Sequence, residues 1–324
     1  MTQIGIFPAS GALGTSTYSH LLSIFPNNRV TLISRFPEKV PQNYIVNGVT
    51  TRQASYELSA EDLESAFRGL DILFLISYPS HVHQYRTKVQ TKAIDAAHKA
   101  GVKHIFYSSL GFASLDKDTT KAEVMGAHLD SEAHLKELSR KDPGFSWTSI
   151  REGLYSESFP IYTAFFDIKN ASSEILIPHD GTGPGISWVK RDELGEATAK
   201  LIASYAESPS EFKYTNQVVT LTGPKSWSLA ETVQVLSKAV NKEVRIRQVS
   251  VDDYAAQTQV VGRFGSKELA TTWATAWEAI RAGETEAVTE TLREILGREP
   301  EAFDKTIGDL VKVNQEILYW NSDA

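Results

Sequence analysis

Short apolar runs alternate with segments of helical periodicity along the first half of the chain. Residues 4–7 form the first run; Pro8 and a glycine-bearing stretch end it, and Tyr18, Leu21, Leu22 and Phe25 then recur at helical spacing. The order strand, tight turn, helix is therefore predicted at the N-terminus. A second β-rich run covers 30–33, and Ser59-Ala60-Glu61-Asp62 predicts a helix start with a serine cap and an acidic first turn. Residues 72–76 (Ile-Leu-Phe-Leu-Ile) are apolar without alternation, as a parallel strand buried on both faces requires. Val89, Ala93, Ala96, Ala97 and Ala100 mark a helix ending at Gly101, and the next strand is expected over 102–107. Strands alternating with helices predict βαβ units, so the expected fold is α/β: a Rossmann-type, doubly wound parallel sheet.

Beyond residue 152 the rhythm changes. Two aromatic-rich segments, a Gly181-Thr182-Gly183-Pro184-Gly185 turn and a strand-helix-strand stretch over 218–249 precede a helical tail. The expected division is a core domain over 1–152 and a smaller α/β lobe over 153–324, partly interleaved with the first.

Composition narrows the chemistry. The chain has 324 residues, 41% of them hydrophobic, which is more than one Rossmann domain needs and suits an added lobe. It has no cysteine, which removes disulfides, thiolate metal sites and any cysteine nucleophile. A redox role would need a borrowed cofactor. The net charge of -7 has the wrong sign for wrapping nucleic acid or coating an anionic membrane. No signal-peptide pattern and no run of about 18 apolar residues occurs, so a cytoplasmic protein is expected, with neither membrane nor direct nucleic-acid contact.

The first turn carries the clearest motif. In Pro8-Ala9-Ser10-Gly11-Ala12-Leu13-Gly14, two glycines three apart lie between strand and helix, where bare backbone and a helix N-terminus can receive a pyrophosphate. Ser10, Gly11, Ala12, Leu13 and Gly14 are accordingly candidate cofactor contacts. Pro8 stands where such loops have their first glycine; it fixes φ and lacks an N–H. The turn is expected either to tighten or to hold the cofactor more weakly. NAD sites place an acid after the second strand to hold the ribose hydroxyl, whereas this chain reads Ser34-Arg35-Phe36-Pro37-Glu38-Lys39. A guanidinium there suits a 2'-phosphate, so Arg35 and Lys39 favour NADP(H) over NAD(H).

Short-chain reductases commonly protonate substrate with the tyrosine of a Tyr-x-x-x-Lys helix, yet none of the 12 tyrosines here has a lysine four residues on. In the corresponding helix His128 and Glu132 lie four apart on one face, where the carboxylate is expected to orient the imidazole or raise its pKa; a solvated surface pair is the alternative. Ser77, Tyr78 and Pro79 after the fourth strand, and Ser108 and Ser109 ending the fifth, lie on the rim where open α/β sheets bind ligands. Tyr155, after the sixth strand, is expected either to wall the substrate pocket or to sit in the core. His81 and His83 lack neighbours in sequence that would complete a metal site and are expected at the surface; no metal is expected.

Together these segments resemble the NmrA-like branch of atypical short-chain dehydrogenases, which includes NADPH-dependent quinone oxidoreductases, isoflavone-type reductases and NADP-sensing regulators. The resemblance rests on 9–14, 35–39, 96–105 leading into Ser108-Ser109, 128–132, 151–157, 221–224 and Ser228-Leu229, and runs to about residue 260. It implies a dinucleotide domain with the substrate in the cleft beside a small C-terminal lobe. It also implies that Gly11 and Gly14 hold the pyrophosphate and Arg35 with Lys39 the 2'-phosphate. His128 would occupy the position of a catalytic lysine or histidine, and Pro8 departs from the family glycine. The expected activity is NADPH-dependent hydride transfer to a small organic acceptor (quinone, conjugated carbonyl, ketone or imine) by a monomer or homodimer, with His128 or a water supplying the proton. The alternatives are an NADP(H) sensor without turnover and a non-redox dehydratase or isomerase on the same scaffold.

Overall fold

The computed structural model describes residues 1–115 and 118–313, so residues 314–324 of the expected lobe lie outside the described residues. Among the described residues nine strands are present: β1 (Ile4–Phe7), β2 (Val30–Ser34), β3 (Thr50–Gln53), β4 (Ile72–Ile76), β5 (His104–Leu110), β6 (Ser146–Glu152), β7 (Glu174–Ile177), β8 (Gln217–Leu221) and β9 (Arg245–Gln248). Seven form one sheet in the order β3-β2-β1-β4-β5-β6-β8, every pair parallel. The winding direction reverses between β1 and β4, which opens a crevice at the carboxyl ends of those two strands.

The apolar runs lack alternation because both faces of the sheet are covered. Ile4, Ile6, Leu32, Phe74, Phe106 and Ile150 face the helices Gly11–Ile24 and Arg191–Glu207. Phe7, Ile33, Leu73, Leu75, Ile105, Tyr107 and Trp147 face the helices Ala60–Phe67, His83–Lys99 and Glu123–Lys141. Ser59 caps its helix as the sequence predicts, its hydroxyl accepting from the Asp62 N–H at 3.1 Å. The fifth strand starts two residues later than expected and runs on to Leu110. Ser108 and Ser109 therefore lie within the ladder, opposite Ile150 and Arg151, instead of ending the strand.

A second core lies beside β7 and β9, which pair in parallel; there Trp188, Tyr254, Trp273, Trp277 and Phe303 pack with Phe159 and Leu236, and Phe112 and Met125 from before residue 152 join them. The chain crosses between the two cores. β8 joins the first sheet beside β6, and the helix Arg191–Glu207 covers the first core, so residues beyond 152 complete the large sheet. No helix among the described residues is long and apolar enough to cross a membrane.

Candidate functional site

The crevice begins at the turn after β1. Gly11 opens the helix Gly11–Ile24 with φ +72, a left-handed conformation costly for residues with a Cβ, and nothing lies within 4 Å of where that Cβ would stand. The helix has no acidic residue in its first turn, and the Ser10 hydroxyl caps none of its N–H groups. Those donors and the dipole face open space suited to an anion. Gly14 serves close packing instead, since a Cβ there would stand 2.9 Å from Pro8 O and 3.2 Å from Ile76 Cδ1. It lets the helix approach the turn and lies buried, as does Leu13 in the core, while Ala12 is half-buried. Pro8 follows a cis peptide bond, and the Ala9 N–H donates to Ile33 O at 2.7 Å, fastening the turn to β2.

A cavity of about 310 Å³ opens beside this turn, lined by Ser10, Gly11, Thr15, Ser34, Arg35 and Lys39 among others. The Arg35 guanidinium and the Lys39 ammonium both lie by the Phe36 ring, 5.6 Å and 4.6 Å from its centroid. Both cations thus line one cavity at the end of β2, where Ser34 replaces the acid of an NAD site. Left-handed glycine, open N-terminus, cation pair and absent acid fit a dinucleotide with a 2'-phosphate.

Further along the rim, the expected partnership of His128 and Glu132 does not form. The two residues share a helix face, but the face is buried, so the solvated-pair alternative fails as well. Glu132 faces β5 and β6: its Oε1 accepts from Ser109 Oγ (2.7 Å), Ser149 Oγ (2.8 Å) and Arg151 Nε (3.1 Å), and its Oε2 from Arg151 Nη2 (2.6 Å). Burial opposes the charge on Arg151, but bonds to Glu132 and Asp118 outweigh it and raise the arginine's pKa. His128, 2% exposed, instead meets Arg86, whose Nη2 donates to Nε2 at 2.7 Å. An arginine only donates, so Nε2 is bare and the proton sits on Nδ1, 3.1 Å from the Tyr107 hydroxyl. Burial, Arg86 and Arg151 hold the imidazole's pKa well below its ordinary value, the reverse of the expected rise.

Arg86 and Gln90 escaped the sequence reading, although they continue the buried face marked by Val89 and Ala93. Arg86 also donates to Ser77 Oγ (3.1 Å), and Gln90 Oε1 accepts from the Tyr78 N–H (3.0 Å), tying the rim after β4 to the buried network. The Tyr78 hydroxyl donates to Glu57 (2.8 Å), and Pro79 is half-buried beside it. Glu152 was missed too. It ends β6 at 1% exposure, and its Oε2 accepts from the hydroxyl of half-buried Tyr155. Burial pushes its pKa up to about 8, against Tyr155 and Ser108, which pull it down. Oε1 has no hydrogen-bond partner among the described residues.

His81 and His83 are not surface residues in the expected sense. His81 packs edge-on against Phe264 and Trp273, and burial lowers its pKa to about 4. His83 does have acidic partners, supplied by a distant helix: Glu123 Oε1 at 3.1 Å and Asp130 Oδ2 at 2.8 Å. Among the described residues no group of three or more His, Asp or Glu side chains could hold a metal ion.

The architecture is shared with solved proteins. An NADPH-dependent quinone oxidoreductase, QOR2, of Escherichia coli, complexed with NADPH, superposes with a TM-score of 0.76 at 28% identity, over 95% of this chain and 99% of that one. A triphenylmethane reductase of Citrobacter complexed with NADP(H) matches the fold with a TM-score of 0.72 at 24% identity, over 95% and 99%. In sequence, the NmrA-like family domain-containing oxidoreductase flvB of Aspergillus flavus is 30% identical over 295 residues, 90% of this chain and 89% of that protein. The family model described as NmrA-like matches residues 1–288, and the chain belongs to the NmrA-like family.

Proposed function

We propose that this protein is an NADPH-dependent oxidoreductase that passes hydride to a small organic acceptor carrying a quinone, conjugated carbonyl, ketone or imine. The observation that carries the reading is the cavity in which Gly11, Arg35 and Lys39 converge with no acid at the end of β2. The flvB relative, named an oxidoreductase, and the NADPH complex of the quinone oxidoreductase support it.

With the dinucleotide bound, its nicotinamide would supply hydride. The first turn of the helix Gly11–Ile24 would hold the pyrophosphate, and Arg35 and Lys39 the 2'-phosphate. Ser77, Tyr78 and Pro79 bound the crevice on one side, and Tyr155, fixed by Glu152, walls it on the other. We assign His128 to positioning: neutral, enclosed and capped at Nε2 by Arg86, it orients Tyr107 and has no path to deliver a proton. The proton comes from water at the rim.

Fluorescence titration with NADPH and NADH, followed by NADPH oxidation with quinones, enones and cyclic imines, tests the reading. Tight NADPH binding with no oxidation by any acceptor would leave a cofactor-binding regulator, and no binding at all would remove both. Arg35→Ala is expected to weaken NADPH about 10- to 100-fold, the worth of a charge-assisted contact, and NADH hardly at all. Equal losses for both nucleotides would refute the 2'-phosphate assignment.

A further inference from the structure

Arg86 is a buried charge that forms no ion pair among the described residues. It is 4% exposed, and its four hydrogen bonds go to uncharged acceptors: Gln90 Oε1 (3.3 Å), Val124 O (3.2 Å), Ser77 Oγ (3.1 Å) and His128 Nε2 (2.7 Å). Glu132 is committed to Arg151, and Glu57 is bound to the Tyr78 hydroxyl. Burial favours the uncharged forms of Glu152 and His128. Among the described residues, therefore, no carboxylate is hydrogen-bonded to Arg86 to neutralise it. Burial opposes the guanidinium's charge, and the Tyr107, Tyr56 and Tyr155 hydroxyls stand within its field. A cation held dry and fixed in this way is arranged for negative charge that arrives only during a reaction.

We propose that Arg86 sets the charge class of the acceptor: the crevice reduces a molecule that is neutral before hydride addition and anionic after it, and discriminates against one that is already cationic. The inference rests on the reductase reading above. In the step it describes, a hydrogen nucleus and its electron pair join a carbon of the acceptor, and the nicotinamide is left oxidised. The pair displaced from the acceptor's C=O bond resides on oxygen until a proton from water joins it. That oxygen carries the new negative charge, which the field of Arg86 stabilises. A triarylmethyl cation behaves oppositely: it enters against the field, and hydride addition cancels its charge, leaving Arg86 nothing to stabilise.

The experiment compares kcat/KM of the full chain for NADPH oxidation by menadione, a neutral quinone, and by crystal violet, a cationic dye. The variants are Arg86→Gln, which removes the charge, and Arg86→Lys, which keeps it; NADPH affinity and melting temperature are followed in each. Arg86→Gln is expected to lose about 100-fold on the quinone and to hold or gain on the dye. Arg86→Lys should retain the wild-type order of preference. A purely structural role would lower both acceptors together, and that result overturns the inference while leaving the reductase reading intact. Should Arg86→Gln not fold, wild type and Arg86→Lys decide: both must turn over the quinone with higher kcat/KM than the dye, and a dye preference in either overturns the inference. No NADPH oxidation with any acceptor would remove the reductase reading and this inference together.

Discussion

Glu132→Gln is expected to cost about 3–5 kcal/mol of stability, the range for leaving one member of a buried ion pair uncompensated. Glutamine keeps an oxygen for Ser109 and Ser149 but removes the charge that Arg151 meets through both Nε and Nη2. The guanidinium would then retain Asp118 alone, a carboxylate whose side chain is 78% exposed and therefore well screened. The pair also joins the helix Glu123–Lys141 to β6, so its loss loosens the floor of the crevice as well as the core. Chemical denaturation of wild type, Glu132→Gln, Arg151→Gln and the double variant measures the coupling. Most of the loss should be recovered when both charges are removed. A single-variant loss below about 1 kcal/mol, within the range of exposed pairs, would show that this pair is not what holds helix to sheet.

Why this partnership was not legible in the sequence follows from helix geometry. Positions four apart share a face, but they are separated by about 6 Å along the axis and about 40° around it. That offset is enough for His128 to meet the helix His83–Lys99 while Glu132 meets β5 and β6. Spacing along one element shows which side chains face inward; the partner across the gap depends on packing that the local pattern does not contain. The strands buried on both faces were legible because burial imposes apolar runs, as in 72–76. β3, with the polar sequence Thr-Thr-Arg-Gln, pairs only with β2 at the sheet edge, needs no such run and left no signal. The cavity beside the first helix was readable because its parts are local to two βα turns: Gly11 and Ser10 in one, Arg35 and Lys39 in the other. Arg86 and Gln90 were readable in principle, as polar residues on an otherwise apolar face. Glu152 offered no comparable sign, since its burial is set by β8 on one side and by Tyr155 folding back over it.

Glu152→Gln is expected to flatten the fall of stability between about pH 4.5 and pH 8. A carboxyl whose pKa stands at about 8 in the folded chain, against 4.5 ordinarily, binds its proton more tightly folded than unfolded. Its contribution is therefore fully present below pH 4.5 and is lost as pH rises through 8. Between those values the unfolded chain binds one proton fewer, so stability falls by about 1.4 kcal/mol per pH unit and by a total on the order of 5 kcal/mol. Other groups titrate in the same window: the two carboxylates beside His83 raise its pKa against its burial, and buried His81, His104 and His128 are lowered. Each acts alike in wild type and variant, so the difference between the two stability curves isolates Glu152. Glutamine leaves one amide group without an assured partner, a constant cost of about 1–3 kcal/mol at all pH values. The variant should thus start below wild type near pH 5 and cross above it by pH 8.5. Urea denaturation at half-unit steps of pH measures both curves, and parallel curves would show that Glu152 is not held protonated. The same ionisation bears on activity. Above pH 8 an ionised Glu152 places a negative charge against Tyr155 at the rim, offsetting the field of Arg86. Reduction of a neutral quinone by wild type should therefore decline through that pH, while Glu152→Gln should show no decline.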